Sequence, residues 1–237
     1  MNKLSALAFA LLTVPGVAFA QGAEPGAEGD AGAFDLSVTA TAVSDYRFRG
    51  VSLSDRDPAI QGSVDLSFAG FYVGAWSSSI ARYADTNVET DLYAGYAGEA
   101  GPVEYEIGAI AYLYPGGDGT GDVYEATGAL AATVGPAKLR LAGFYAPDQK
   151  NLVGDNLYLS VDAEAEIPGT ELALTAQIGR ERGSFYGRKV DWSLGAEYRH
   201  GQFMLGLAYH DTDRDGVASG LGRNARGGLV AKASATF

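Results

Sequence analysis

One stretch limits what this chain can fold into: Phe34 to Gly50, FDLSVTATAVSDYRFRG. Its even positions are apolar from Phe34 through Leu36, Val38, Ala40 and Ala42, and Tyr46 and Phe48 continue that side. Its odd positions are mostly polar: Asp35, Ser37, Thr39, Thr41, Asp45, Arg47 and Arg49. A period of two sends successive side chains to opposite faces of a β-strand. The alternation predicts one strand of about sixteen residues, against the usual length of about five to six. A barrel crossing a bilayer uses strands of this kind, with one face towards lipid and the other towards a lumen. On that register Phe34 and Tyr46 stand about 30 Å apart along a strand tilted by about 40°, close to the separation of two aromatic girdles.

The same alternation returns along the rest of the chain. It is cleanest from Asn156 to Ile167, where Leu157, Leu159, Val161, Ala163, Ala165 and Ile167 oppose Asn156, Tyr158, Ser160, Asp162, Glu164 and Glu166. Short turns carrying Gly or Pro fall near residues 70, 100, 135, 168 and 200 and alternate with longer polar connections. The longer connections include a loose loop before Val88 and a basic loop, RERGSFYGRK, from Arg180. Short turns on the periplasmic side and longer loops outside are the habit of bacterial barrels. The sequence therefore predicts an all-β fold, a twelve-stranded antiparallel outer-membrane β-barrel over residues 34–237, with both ends of the barrel periplasmic. Phe34, Phe68, Phe71, Tyr96, Tyr105, Tyr198, Phe203 and Phe237 form the expected lower girdle. Tyr46, Phe48, Tyr124, Tyr145, Trp192 and Tyr209 form the upper one. A soluble barrel or sandwich would have to bury the carboxylates of one face without water, which is expensive.

The ends agree with export. Residues 1–20 read as a signal peptide: Lys3, an apolar core from Leu4 to Leu12, and a small-x-small site at Ala18-Phe19-Ala20. Residues 21–33 form an acidic Gly/Ala/Pro tract, expected to be a disordered periplasmic tail. The expected location is the outer membrane of a Gram-negative bacterium. The chain has no cysteine, which excludes a disulfide framework and thiolate metal sites. Its formal net charge of -12 argues against nucleic acid as a partner. The expected partners are outer-membrane lipid and the barrel-assembly machinery, with Phe237 as terminal assembly signal and the barrel a monomer.

The informative constellation is the inward face. The register places Asp35, Asp45, Asp65, Glu89, Asp91, Glu104, Glu106, Glu125, Asp162, Glu164, Glu166, Glu171, Glu181, Asp191 and Glu197 there. These carboxylates outnumber the inward cations Arg47, Arg49, Lys138, Arg140, Arg199, Arg226 and Lys232. A loop centred near Asn151 would set Lys138 opposite Glu164 and Arg140 opposite Asp162. Two other motifs carry less. His210 beside Asp211 and Asp213 could activate water, but no partner on another strand is evident. Asp211-Thr-Asp-Arg-Asp-Gly216 starts like a calcium loop, yet its twelfth position is Gly222 where a bidentate Glu is required. No catalytic, cofactor or metal site is assigned.

The run Ser44-Asp45-Tyr46-Arg47-Phe48-Arg49-Gly50-Val51-Ser52 resembles the opening signature of the TorF-type porins, small proteobacterial outer-membrane barrels. The next hairpin is similar as well, through Asp57-Pro58-Ala59-Ile60-Gln61-Gly62-Ser63-Val64-Asp65 and Gly70-Phe71-Tyr72-Val73-Gly74-Ala75-Trp76. The likeness is sharp over residues 44–96 and only architectural beyond. It implies an outer-membrane barrel and, more loosely, transport. The expected function is a narrow passive channel for ions or small solutes, preferring cations. A structural or surface-interaction barrel plugged by ion pairs is the alternative, and an outer-membrane hydrolase ranks third.

Overall fold

A computed structural model describes residues 34–214 and 220–237. The expected export signal and acidic tail, and Asp215 and Gly216 of the calcium-like run, lie outside the described residues. The strands are β1 (Asp35–Val43), β2 (Arg47–Phe48), β3 (Val51–Ser52), β4 (Ala59–Phe68), β5 (Phe71–Tyr83), β6 (Thr86–Ala100) and β7 (Val103–Leu113). They continue with β8 (Val123–Val134), β9 (Ala137–Ala146), β10 (Asn156–Glu166), β11 (Leu172–Gly183), β12 (Gly187–His200), β13 (Phe203–Thr212) and β14 (Gly228–Thr236). Twelve of them, β1 and β4 to β14, close into one antiparallel barrel in which each strand pairs with its neighbour along the chain. Closure leaves no unpaired strand edge, the condition for β-structure in hydrocarbon. The fold is the expected one.

Alternation in sequence becomes alternation in exposure. In β10 the outward Leu157, Leu159 and Val161 are exposed, while Tyr158, Ser160 and Asp162 are buried in the lumen. The lower girdle holds, with Phe34 stacked on Phe68 at 4.6 Å and Phe71 edge-on to Tyr96 at 4.9 Å. On the upper rim Tyr124, Tyr145, Trp192 and Tyr209 face outward, the last two in contact at 5.5 Å.

The first strand is shorter than the pattern implies. β1 ends at Val43, whose partner across the ladder is Ala59, the first residue of β4. Of the segment between them, Asp45 to Ser54 folds into the barrel, buried throughout but for half-buried Leu53, while Ser44, Asp57 and Pro58 stay exposed. Tyr46 is 1% exposed and Phe48 8%, so neither belongs to the upper girdle. The reason is local. Arg49 and Gly50 both have positive φ, 49° and 82°, the signature of a two-residue hairpin turn joining β2 to β3. An inner hairpin keeps a period of two, so the alternation runs straight through the bend.

Two connections also differ. The loose loop before Val88 is a tight turn at Ala84-Asp85, with φ of 47° and 65°, because β5 and β6 run on past the girdle. The basic loop from Arg180 is mostly strand, with β11 reaching Gly183 and β12 resuming at Gly187.

The seam between the chain's two ends joins β1 to β14. Beyond the last strand, Phe237 still exchanges two backbone hydrogen bonds with Val38, at 3.0 and 2.9 Å, while its ring is exposed on the lipid side. Deleting Phe237 removes both bonds and one girdle ring together. The expected outcome is loss of folded barrel from isolated outer membranes, read by immunoblot of membrane fractions. Wild-type levels would show that the terminal residue has no part in assembly.

Candidate functional site

The site is built around Arg49 at the tip of the inner hairpin. Its guanidinium pairs with both oxygens of Glu125 from β8, at 2.9 and 2.6 Å, and with Glu181 from β11 at 3.0 Å. The rings of Tyr158 and Phe48 lie 4.5 and 4.6 Å from it, with Phe144 and Phe185 slightly farther. Burial works against the charge, but Glu125 above all, with Tyr112 and Glu181, holds the guanidinium above its usual range. Lys189 fastens the same tip: its ammonium donates to the Arg49 carbonyl and pairs with Asp191 at 2.7 Å and Glu181 at 3.4 Å. Gly50 is required at the tip, since a Cβ there would come within 2.7 Å of the Asp191 Cβ.

The hairpin's stem is held by Asp45. Its carboxylate pairs with Arg47 at 2.7 Å and accepts the Ser52 hydroxyl at 2.6 Å. Arg47 also donates to the carbonyls of Gly50 and Arg226, tying the hairpin to the last outer loop. Tyrosines cap the surrounding carboxylates. Tyr46 and Tyr114 donate to Glu89 at 2.6 and 2.8 Å, Tyr112 to Glu125 at 2.8 Å, and Tyr158 to Asp191 at 2.9 Å. Asp91, fully buried near Glu89 and Glu125, has no hydrogen-bond partner for either oxygen among the described residues.

Below the hairpin the inner wall carries a belt of ion pairs. Lys138 meets Glu104 at 2.8 Å, and Arg140 sits 3.6 Å from Glu106 and 3.7 Å from Asp162. Arg199 meets Glu164 at 2.6 Å as well as Glu197, which also lies 3.5 Å from Lys232. The ladder does set Glu164 opposite Lys138 and Asp162 opposite Arg140. Lys138 nevertheless reaches past β8 to Glu104, and Glu164 takes Arg199 from beyond β11. Long side chains bridge alternate strands here because the strand between them offers a small residue. Gly206 lies between Glu197 and Lys232, and on β8 Ala129 stands opposite Glu106 and Ala131 opposite Arg140.

Asp65 accepts the Ser63 hydroxyl at 2.9 Å and that of Tyr93, and Glu166 ends β10 at the lower rim, half-buried. Glu171 is the exception among the expected lumen residues. It precedes β11, is exposed, and binds the ring of His200 at 2.7 Å, because the chain turns out of the barrel there. Arg226 is likewise exposed in the last outer loop. Asp45, Arg47 and Arg49 lie within the lumen on the inner hairpin and not on the wall. Lys189 is not legible as a lumen residue from the sequence, because it ends the basic run RERGSFYGRK; in the fold it lies on β12 and shares the inward parity of Asp191.

Between the hairpin and the wall of β1, β4 and β10 to β14 lies a cavity of about 140 Å3. Asp45, Arg47 and Arg49 line one side, and Asp65, Asp162, Asp191, Glu197, His210 and Lys232 line the wall among threonines and serines. His210 faces this space, but Asp211 and Asp213 turn elsewhere. Asp211 accepts the Tyr209 hydroxyl and the Thr212 amide, and Asp213 accepts the Val190 amide.

Replacing Arg49 by Ala leaves Glu125 buried without its cation and Glu181 with Lys189 alone, a loss of about 3–5 kcal/mol for a buried pair of this kind. The variant should unfold at lower temperature in detergent and should become cleavable within residues 44–58. Arg49→Lys should recover only part, since an ammonium cannot span Glu125 and Glu181 as a planar fork does. An unchanged unfolding curve for Arg49→Ala would remove the clamp.

The comparisons agree on architecture. A KdgM porin superimposes with a TM-score of 0.57 at 10% identity, covering 85% of this chain and 98% of that one. The COG4313 outer membrane channel from Pseudomonas putida F1 gives 0.53 at 10% identity, covering 87% and 96%. At such identity the likeness is one of fold: a closed barrel of the outer-membrane type. No curated protein matches the sequence. The profile described as "Bacterial protein of unknown function (Gcw_chp)" matches residues 27–237, and the chain belongs to that family.

Proposed function

We propose that this barrel is a monomeric, narrow diffusion channel of the outer membrane for ions and very small solutes, with the inner hairpin setting its bore. The observation that carries this reading is the charged cavity between the hairpin and the wall of β1, β4 and β10 to β14. A structural barrel has no need of a polar space of this kind beside its plug. The fold shared with a porin and an outer-membrane channel supports transport, as does the TorF-type resemblance of residues 44–96. Hydrolysis finds less support, since neither Asp211 nor Asp213 hydrogen-bonds His210 among the described residues.

The cavity favours cations. Asp45, Asp162, Asp191 and Glu197 are paired with Arg47, Arg140, Lys189 and Arg199, whereas Asp65 on the same lining is met only by the hydroxyls of Ser63 and Tyr93 and carries negative charge without a cation among the described residues. Low-dielectric walls concentrate such a field. The alternative, a sealed barrel, rests on the buried clamp of Arg49 with Glu125 and Glu181, which closes part of the outer half.

Reconstitution in planar bilayers separates the two. The channel should conduct in small steps and favour potassium over chloride. The preference should fade as salt rises, because the screening length falls from about 10 Å at 0.1 M to about 3 Å at 1 M. Asp65→Asn should weaken the preference with little effect on folding. An anion-selective reversal potential would sink the electrostatic argument. Absence of conductance in wild type, with conductance appearing in Arg49→Ala, would establish the sealed barrel.

A further inference from the structure

The strands that run past the upper girdle sort their charges to two sides. In β11, Glu181 is buried inside while Arg180 and Arg182 are exposed on the outer face. In β12, Lys189 is buried inside while Arg188 is exposed outside. The ladder sets Arg182 directly opposite Arg188, and Arg180 opposite Val190. Three guanidinium groups therefore share one patch on the lipid-facing side of the barrel. Among the described residues none of the three makes an ion pair or a side-chain hydrogen bond. The nearby Asp213 is engaged by the Val190 amide.

This arrangement is costly as it stands, for like charges directly opposite across a sheet destabilise it. Their height identifies what compensates them. Ile178 pairs with Trp192 in the upper girdle, and Arg180 stands two residues further up the same face, about 7 Å along the strand. Girdle aromatics mark the boundary between hydrocarbon and headgroups, so the arginines lie at headgroup level. The neighbouring strand presents Leu159 beside Arg180 and Leu157 beside Arg182, both exposed. With Val161 and Ile178 exposed one step lower on the same face, guanidinium forks above apolar side chains match a molecule with acyl chains below and phosphate above.

We propose that Arg180, Arg182 and Arg188 form a binding site for the phosphates of the outer-leaflet glycolipid, lipopolysaccharide, held against the outside of β11 and β12. Guanidinium groups bind phosphate oxygens in pairs of parallel hydrogen bonds, and several together recognise a phosphorylated headgroup. The site is independent of the lumen and of whether the channel conducts.

Native mass spectrometry of the detergent-purified barrel, titrated with bisphosphorylated lipid A, tests the proposal. Wild type should retain lipid A, and the triple variant Arg180→Gln/Arg182→Gln/Arg188→Gln should bind on the order of a hundred-fold more weakly, at roughly one basic side chain's contribution each. Lipid A stripped of phosphate should bind both proteins equally weakly. The matching triple Lys variant should keep most of the binding, and Arg182→Gln alone should show a partial loss, so the question stays decidable if the triple Gln variant folds poorly. Equal lipid A binding by wild type and the Gln variants would overturn the site. Competition by inorganic phosphate at the same concentration, or equal binding of phosphatidylglycerol, would overturn the assignment to the outer-leaflet glycolipid.

Discussion

A charge taken out of water must find its opposite, and the outer half of this barrel is arranged around that requirement at Arg49. Its guanidinium lies between Glu125 and Glu181 under four aromatic rings, with no exposed edge. Desolvation of three charged groups costs several kcal/mol each, which only close geometry and further hydrogen bonds can offset. The remaining parts supply these. Tyr112 and Asn156 donate to the two carboxylates, Lys189 grips the backbone of the hairpin tip, and Asp45 folds the stem so that the tip points inward. Remove the arginine and the tyrosines, the lysine and the hairpin lose their common anchor.

Much of this was legible and two parts were not. The outward band, the inward carboxylates and the register of β9 against β10 all follow from a period of two and from a loop centred at Asn151. The inner hairpin was hidden because its own strands alternate in phase with β1. Its signals were present in another form: Arg49-Gly50 as a turn pair, and Asp45 with Ser52 and Ser54 to fold the stem. The ionic partners were hidden for a different reason. Cross-strand reasoning pairs nearest neighbours, whereas Lys138 and Arg199 reach over Ala- and Gly-bearing strands to the next but one.

The lumen and the outer surface share a logic with opposite results. Inside, cations sit between carboxylates and the belt is nearly neutral, leaving its excess in the cavity beside the hairpin. Outside, above the girdle, the same two strands gather only positive charge. A strand's two faces thus carry different charge to two sides of the barrel through residues one position apart.

The pairing of Val43 with Ala59 has a consequence of its own. These two residues are neighbours across the ladder, so the wall is complete without anything between them. The segment from Ser44 to Pro58 is an insertion into a finished cylinder. The pairing of β1 with β4 does not run through it, although Arg49 within it supplies the cation that Glu125 and Glu181 on the wall require. The closure of the wall and the plug within it are therefore written in separate parts of the chain, and barrels descended from a common ancestor can diverge in what fills the lumen while their architecture stays the same.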